Sequence, residues 1–144
     1  LLGALSAERV IQASLVGKTL PILVKLSPDL ADDELDDALA AIQGNGMDGV
    51  IATNTTLSRE GIKSPLAQEV GGLSGTPLTC RSRDMVMKIT QRTNGRLPVI
   101  GVGGIMTPAD AQAMFDAGAI LVQVYTGLIY TGPKLVQKIL KEMR

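Results

Sequence analysis

The sequence predicts an α/β fold with parallel strands, on three observations. Short apolar runs rich in branched side chains alternate with amphipathic segments at helical spacing. Those runs are apolar throughout, as parallel strands covered on both faces are. Each is followed by enough chain for a crossover helix, the connection that parallel strands need. The order that results is one helix and then four βα units.

Residues 6–16 read as the opening helix, with Ser6 as its cap and Val10, Ile11 and Ala13 to Val16 on its apolar face. Pro21 introduces the first strand, Ile22-Leu23-Val24-Lys25-Leu26. Residues 32–44 form the clearest helix. Asp32, Asp33, Glu34, Asp36 and Asp37 crowd its first turns, where the dipole favours each anion by ~0.3–1 kcal/mol. Leu35, Leu39 and Ile42 recur on one face, and Gly44 or Gly46 ends it. The second strand, Gly49-Val50-Ile51-Ala52, runs straight into Thr53-Asn54-Thr55-Thr56. About twenty residues without periodic pattern follow, through Gly71-Gly72-Leu73-Ser74-Gly75, and loops that long inside a domain are functional or disordered. A helix over 79–92 carries Met85, Val86 and Ile89 inward. Pro98-Val99-Ile100-Gly101-Val102 is the third strand. Thr107 caps the next helix, Pro108 opens it and Gly118 stops it. The fourth strand runs from Ile120 to Val124, and a last helix occupies about 133–143.

Two architectures fit four such units: a small doubly wound sheet, or part of a (β/α)₈ (TIM) barrel. A full barrel takes about 250 residues, and this chain has 144. Residues 1–144 read as a single partial domain without a hinge or low-complexity segment, and Leu1 in place of Met leads us to expect a numbering that starts inside a longer polypeptide.

Composition removes several function classes. Fourteen basic residues balance fourteen acidic ones, against an electrostatic nucleic-acid binder. Aromatics are 2% of the chain, too few for a base-stacking platform. The absence of histidine removes imidazole bases and most zinc sites, and no metal-ligand spacing is evident. The one cysteine, Cys80, excludes a disulfide framework and fits a reducing compartment; it reads as a small packed residue. No apolar run reaches the ~18 residues of a membrane span, and no secretory leader opens the chain.

Two nucleotide motifs fail on inspection. Gly17-Lys18-Thr19 lacks the earlier glycine of a phosphate-binding loop, where Gln12 stands, and follows a helix. In Gly101-Val102-Gly103-Gly104-Ile105-Met106, Met106 replaces the last glycine of a dinucleotide fingerprint. The segment still ends a strand and leads into a helix start, so its backbone N–H groups and the helix dipole could receive a phosphate. Val124-Tyr125-Thr126-Gly127 repeats the arrangement after the next strand. Barrels frequently build phosphate sites from the loops after their last two strands; the plainer reading is that the glycines only make tight turns. Lys25 interrupts an apolar strand near its carboxyl end, the functional end of parallel α/β sheets, unless it merely snorkels to solvent. Asn54 and Thr55 sit at the corresponding end of the next strand, where an asparagine can read amide and carbonyl edges or serve a turn. Four successive strand ends converging on one small-molecule site is more informative than any single motif.

In this order the motifs resemble the carboxyl-terminal half of dihydroorotate dehydrogenase. They are Val24 to Leu30, Asp48 to Thr56, Gly71-Gly72-Leu73-Ser74-Gly75-Thr76-Pro77-Leu78, Pro98 to Ile105 and Leu121 to Thr126. The Asn-Thr-Thr and Gly-Gly-Leu-Ser-Gly-x-Pro-Leu forms are similar to the quinone-dependent, membrane-associated class. The resemblance implies a (β/α)₈ barrel holding FMN that oxidises dihydroorotate to orotate in pyrimidine synthesis. It implies that Lys25 lies against the flavin, where opposite charges ~4 Å apart gain a few kcal/mol at an effective dielectric near 20. It places Thr53 on the flavin and Asn54 with Thr55 on the orotate ring. By the same resemblance, Gly75, Gly103 and Gly104 would let the backbone approach FMN, and Tyr125 and Thr126 would offer N–H groups to its phosphate.

The family's catalytic base is a serine in the other half of its barrel. None of Ser14, Ser27, Ser58, Ser64, Ser74 or Ser82 lies in a motif matching that of the base, so no base is assigned and this chain alone is expected to be inactive. Quinone as acceptor, and a cytoplasmic protein peripheral at the inner membrane, follow from the resemblance alone. Two other readings stay open: another phosphate-binding barrel enzyme, and a non-catalytic half-barrel that binds phosphate or associates with itself through open strand edges.

Overall fold

The computed structural model describes residues 1–143. Four strands, β1 (Leu23–Leu26), β2 (Gly49–Ala52), β3 (Val99–Val102) and β4 (Leu121–Gln123), pair in parallel in the order β1-β2-β3-β4. The helices are α1 (Leu2–Val16), α2 (Asp32–Gly44), α3 (Thr79–Arg92), α4 (Pro108–Asp116), α5 (Thr126–Thr131) and α6 (Lys134–Glu142). The sequential strand order, with no reversal, is that of consecutive barrel units and not of a doubly wound sheet, whose order switches.

Register explains why the site forms where it does. Leu26 pairs with Ala52, Ala52 with Gly101, and Val102 with Gln123, so the four strands stop nearly level and release their following residues along one rim. The face bearing Leu26, Val50, Ala52 and Val99 packs under the helices. There Leu35, Leu39 and Ile42 of α2, Met85, Val86 and Ile89 of α3, Ala111 and Met114 of α4, and Leu135 and Ile139 of α6 complete one core.

The opposite face departs from the expected two-sided cover. The register row Lys25–Ile51–Ile100–Leu121 lies there, and Leu121 is 57% exposed while Ile51 and Ile100 are only half-buried. A barrel buries that row inside itself, which accounts for apolar strands whose second face has no helix.

The remaining elements follow the sequence with local differences. α1 starts at Leu2, so Ser6 lies inside it and caps nothing; a cap side chain is absent there. Its expected apolar face, Val10, Ile11, Leu15 and Val16, is exposed, and the helix is tied down instead by Arg9, which pairs with Asp48 and donates to Gly46 O. α2 begins and ends as expected, with Glu34 accepting from the Ala31 N–H at 2.8 Å. α4 has the full expected start at Thr107 and Pro108. The six-residue α5 and two 3₁₀ turns, Pro65–Gln68 and Thr76–Leu78, were not foreseen; all are too short for an apolar period to show. Cys80 is exposed rather than packed. Among the described residues no helix is long and apolar enough to cross a membrane, and no three acidic or cysteine side chains gather as a metal site.

Candidate functional site

The residues released at the rim enclose one cleft of about 210 Å³. β1 contributes Lys25, and the end of β2 contributes Thr53, Asn54 and Thr55. The loop before α3 contributes Ser74 and Gly75, β3 ends in Gly103 and Gly104, and β4 leads to Tyr125 and Thr126. All nine residues singled out in the sequence therefore line the same cavity. Lys25 is the only charged side chain among the described residues that line it, and it enters no ion pair there. The cleft thus carries one net positive charge, suited to an anion.

Thr53 is fixed rather than free. It is 2% exposed; its N–H donates to Val102 O at 2.7 Å, and its Oγ1 lies 2.9 Å from Asn54 O and 3.0 Å from Ser82 Oγ of α3. The peptide between Ala52 and Thr53 is cis. Asn54 donates its N–H to Leu26 O at 2.8 Å, and its Oδ1 accepts from the Thr55 N–H at 2.9 Å. Its Nδ2 donors have no protein acceptor among the described residues, which leaves them for a ligand carbonyl or carboxylate.

The glycine wall works differently from the simple expectation that glycines bare the backbone to a ligand. A Cβ on Gly104, at φ +72°, would overlap the backbone N and Cα of Thr79, whose Oγ1 donates to Gly104 O at 2.7 Å. One on Gly103 would overlap Ser82 Oγ. Both glycines first of all let the start of α3 press against the end of β3. The buried Gly104 N–H, like that of Gly103, has no protein acceptor among the described residues. A buried donor left open beside a cleft is a built-in place for an anionic or carbonyl oxygen.

The start of α4 does not serve that purpose, against the sequence expectation. Asp110 Oδ2 accepts from the N–H groups of Met106 and Thr107 at 3.0 and 2.8 Å and from Thr107 Oγ1 at 2.8 Å. The helix's own carboxylate fills its positive end. Anion-binding capacity rests instead on Gly103, Gly104 and the Tyr125–Thr126 turn. That turn meets the loop across the cleft: Thr126 Oγ1 donates to Ser74 Oγ at 2.9 Å, and a Cβ on Gly75 would lie 3.1 Å from Thr126 Cγ2.

Sequence reasoning assigned no role to Ser74, Gln123 or Gly127, which also line the cleft. A Cβ on Gly127 would overlap Ile105 O, so this glycine brings the β4 turn against the β3 turn. The strand position of Gln123, paired with Val102 at the rim, was the available signal for it.

Behind Thr55 the loop is anchored by Asp29. Its carboxylate accepts from Thr56 Oγ1 at 2.5 Å, from the Leu57 N–H at 2.7 Å and from Arg81 Nη1 at 3.1 Å. Burial pushes the Asp29 carboxyl up, but these hydrogen bonds and the Arg81 charge outweigh it and hold the group below its ordinary value.

The family model described as dihydroorotate dehydrogenase matches residues 3–144. A dihydroorotate dehydrogenase (quinone) of Shewanella woodyi is 47% identical over 145 residues, covering 100% of this chain and 43% of that protein. One from Salinispora arenicola is 54% identical over 129 residues, covering 87% of this chain and 38% of its own length. Among solved structures, ligand-free DHODH from Eimeria tenella superposes with a TM-score of 0.84 at 41% identity, covering 89% of this chain and 36% of that one. The same enzyme in complex with ferulenol gives 0.83 at 41% identity, covering 90% and 34%. The chain spans about two fifths of the curated relatives' length, somewhat less than the half that was expected. The chain belongs to the dihydroorotate dehydrogenase family.

Proposed function

We propose that this chain supplies the main part of the flavin and pyrimidine site of an FMN-dependent dihydroorotate dehydrogenase, which oxidises dihydroorotate to orotate and passes the electrons to quinone. The observation that carries this reading is the convergence of four adjacent strand ends on one cleft with a single cation, a free asparagine amide and an unpaired buried N–H. The donor set fits FMN: a phosphate suits the Gly103, Gly104, Tyr125 and Thr126 N–H groups, and the flat ring suits the wall formed by Thr53 and Gly75 with Lys25 at its edge. FMN, when bound, supplies the two-electron acceptor for the oxidation.

The chain's own residues bind and orient. Lys25 would hold its positive charge against a bound flavin and oppose negative charge there. Asn54 Nδ2 and the Thr55 hydroxyl hold the pyrimidine, with Asn54 itself oriented by its bond from the Thr55 N–H. Thr53, locked to Val102 and Ser82, fixes the β2 end and would hold one wall of the flavin site. None of these groups is assigned as the base that removes the substrate proton, and the sheet has four strands where a closed barrel has eight. The chain by itself therefore binds without turnover. The relatives' name, dihydroorotate dehydrogenase (quinone), supports quinone as the acceptor and a whole protein peripheral to the inner membrane on its cytoplasmic side.

The test is an FMN titration of the purified chain, followed by dihydroorotate, with the flavin absorbance recorded. Saturable binding without bleaching is the expected result. Lys25→Met should weaken FMN by about tenfold without lowering thermal stability, since an exposed unpaired lysine contributes little to the fold. Absence of flavin binding by the whole protein would sink the assignment, and bleaching by substrate would overturn the claim that no base is present.

A further inference from the structure

The excursion between Leu57 and Gly72 has almost no secondary structure, only the 3₁₀ turn Pro65–Gln68, and yet it closes on itself. The Arg59 guanidinium sits inside it. Nε donates to Ala67 O at 3.0 Å, and Nη1 lies 3.2 Å from both Thr56 O and Leu57 O and 3.4 Å from Ser58 O. Nη2 donates to Glu69 O at 3.2 Å and to Gly71 O. Five N–H donors thus meet six backbone carbonyls drawn from both limbs of the loop. No carboxylate pairs with Arg59 among the described residues.

The two limbs meet at a single antiparallel bridge, Thr56 with Leu73, with N–H to O distances of 3.1 and 2.8 Å. That bridge is the neck of the loop. One residue before it stands Thr55, preceded by Asn54; one residue after it stands Ser74, followed by Gly75. Both walls of this side of the cleft are therefore carried on a neck whose spacing Arg59 sets from behind.

We infer that Arg59 is a positioning residue, a carbonyl-caged cation that fixes the separation of Asn54–Thr55 from Ser74–Gly75 and so the fit of the pyrimidine between them. The inference rests on the proposed function for the identity of that ligand. A guanidinium is required because its planar fork serves five directions at once, whereas a lysine offers three donors from one point. Asp29 anchors only the first limb, through Thr56 and Leu57, so it does not replace the clamp.

The test compares Arg59→Lys and Arg59→Ala with the wild-type chain by amide hydrogen exchange and by binding of FMN and then orotate. Exchange at Thr56 and Leu73 should accelerate by about tenfold or more, while Val50 and Val99 in the central strands stay protected. Orotate affinity for the FMN-loaded variants should fall by about tenfold and FMN affinity by less than about twofold. A merely structural residue would lower both affinities together or loosen the strands, and either result overturns the inference. Unchanged protection at Thr56 and Leu73 overturns it too, as does lost protection with unchanged orotate binding. If the wild-type chain takes neither ligand, the claim that it holds the site by itself fails alone, and the exchange at the neck still decides whether Arg59 holds it.

Discussion

Substitution of Gly104 by alanine tests whether the close approach of α3 to the end of β3 is what the site depends on. Two costs add. A Cβ at φ +72° is strained by ~1–2 kcal/mol, the ordinary cost of a left-handed conformation for a residue other than glycine. The same Cβ would overlap the backbone N and Cα of Thr79, which cannot rotate away as a side-chain tip can. Overpacking of that kind adds ~1–3 kcal/mol, for a total of ~2–5 kcal/mol. Gly95 provides the control. Its φ is +67°, and a Cβ there meets nothing within 4 Å, so Gly95→Ala isolates the conformational cost. Urea unfolding of both variants should give midpoints that differ by the overpacking term, with similar slopes. A difference below ~0.5 kcal/mol, within the scatter of ordinary surface substitutions, would falsify the close-approach account. A Gly104→Ala variant that folds should also bind FMN more weakly, because relief of the overlap shifts the Gly104 N–H.

Three further outcomes follow from the structure. Asp29→Asn should destabilise the chain above acid pH and flatten its acid sensitivity: the native carboxyl is held low, so its stabilisation is complete above the unfolded value of 3.8 and lost as pH falls through the lower folded value. An unchanged acid limb in the variant would contradict the anchor role. Thr107→Ala removes the cap of α4, whose Oγ1 accepts from the Asp110 N–H at 3.2 Å, and should cost ~1 kcal/mol in thermal or urea unfolding. Sedimentation of the chain at micromolar concentration should show dimers or larger species, because both sheet edges are open and Ile120, Leu121, Ile129 and Tyr130 are exposed around β4. A stable monomer with cooperative unfolding would contradict it.

The strands were legible because each is a run of branched residues with no competing period, and α2, α3 and α4 because caps and apolar spacing agreed. α1 misled for a physical reason. Its Val10, Ile11, Leu15 and Val16 look like a buried stripe, but no part of this sheet lies opposite them. The cleft was legible through strand ends, since parallel pairing in register carries Lys25, Thr53, Gly103 and Tyr125 to one rim whatever the loops do. What sequence could not convey was direction. Gly103 and Gly104 look outward to a ligand in the sequence, whereas their missing Cβ atoms face Ser82 and Thr79. Asp110, to which no role was assigned from the sequence, fills the start of α4 and removes it from anion binding. The Arg59 clamp has no periodic signal at all, because its partners are backbone carbonyls that every residue possesses.

The width of the sheet supports the proposed flavin nucleotide over the smaller phosphate ligands that the same loops could hold. Lys25 stands on β1, and Tyr125 and Thr126 follow β4, the two outer strands of the sheet. Three strand spacings of about 4.8 Å put these groups ~14 Å apart along the sheet. A sugar phosphate anchored at the β3 and β4 turns has no atoms to offer Lys25 or Asn54. A pyrimidine at Asn54 and Thr55 leaves the open N–H groups of Gly103 and Gly104 without an acceptor. Under the proposed function, a flat ring joined through a polyol chain to a phosphate would engage both ends at once, with Lys25 at the ring end, where charge would change on reduction. The phosphate end then relies on neutral N–H donors alone. That division, charge at the redox end and dipoles at the anchor, is what a site needs if binding is to favour the reduced cofactor over the oxidised one instead of holding both equally.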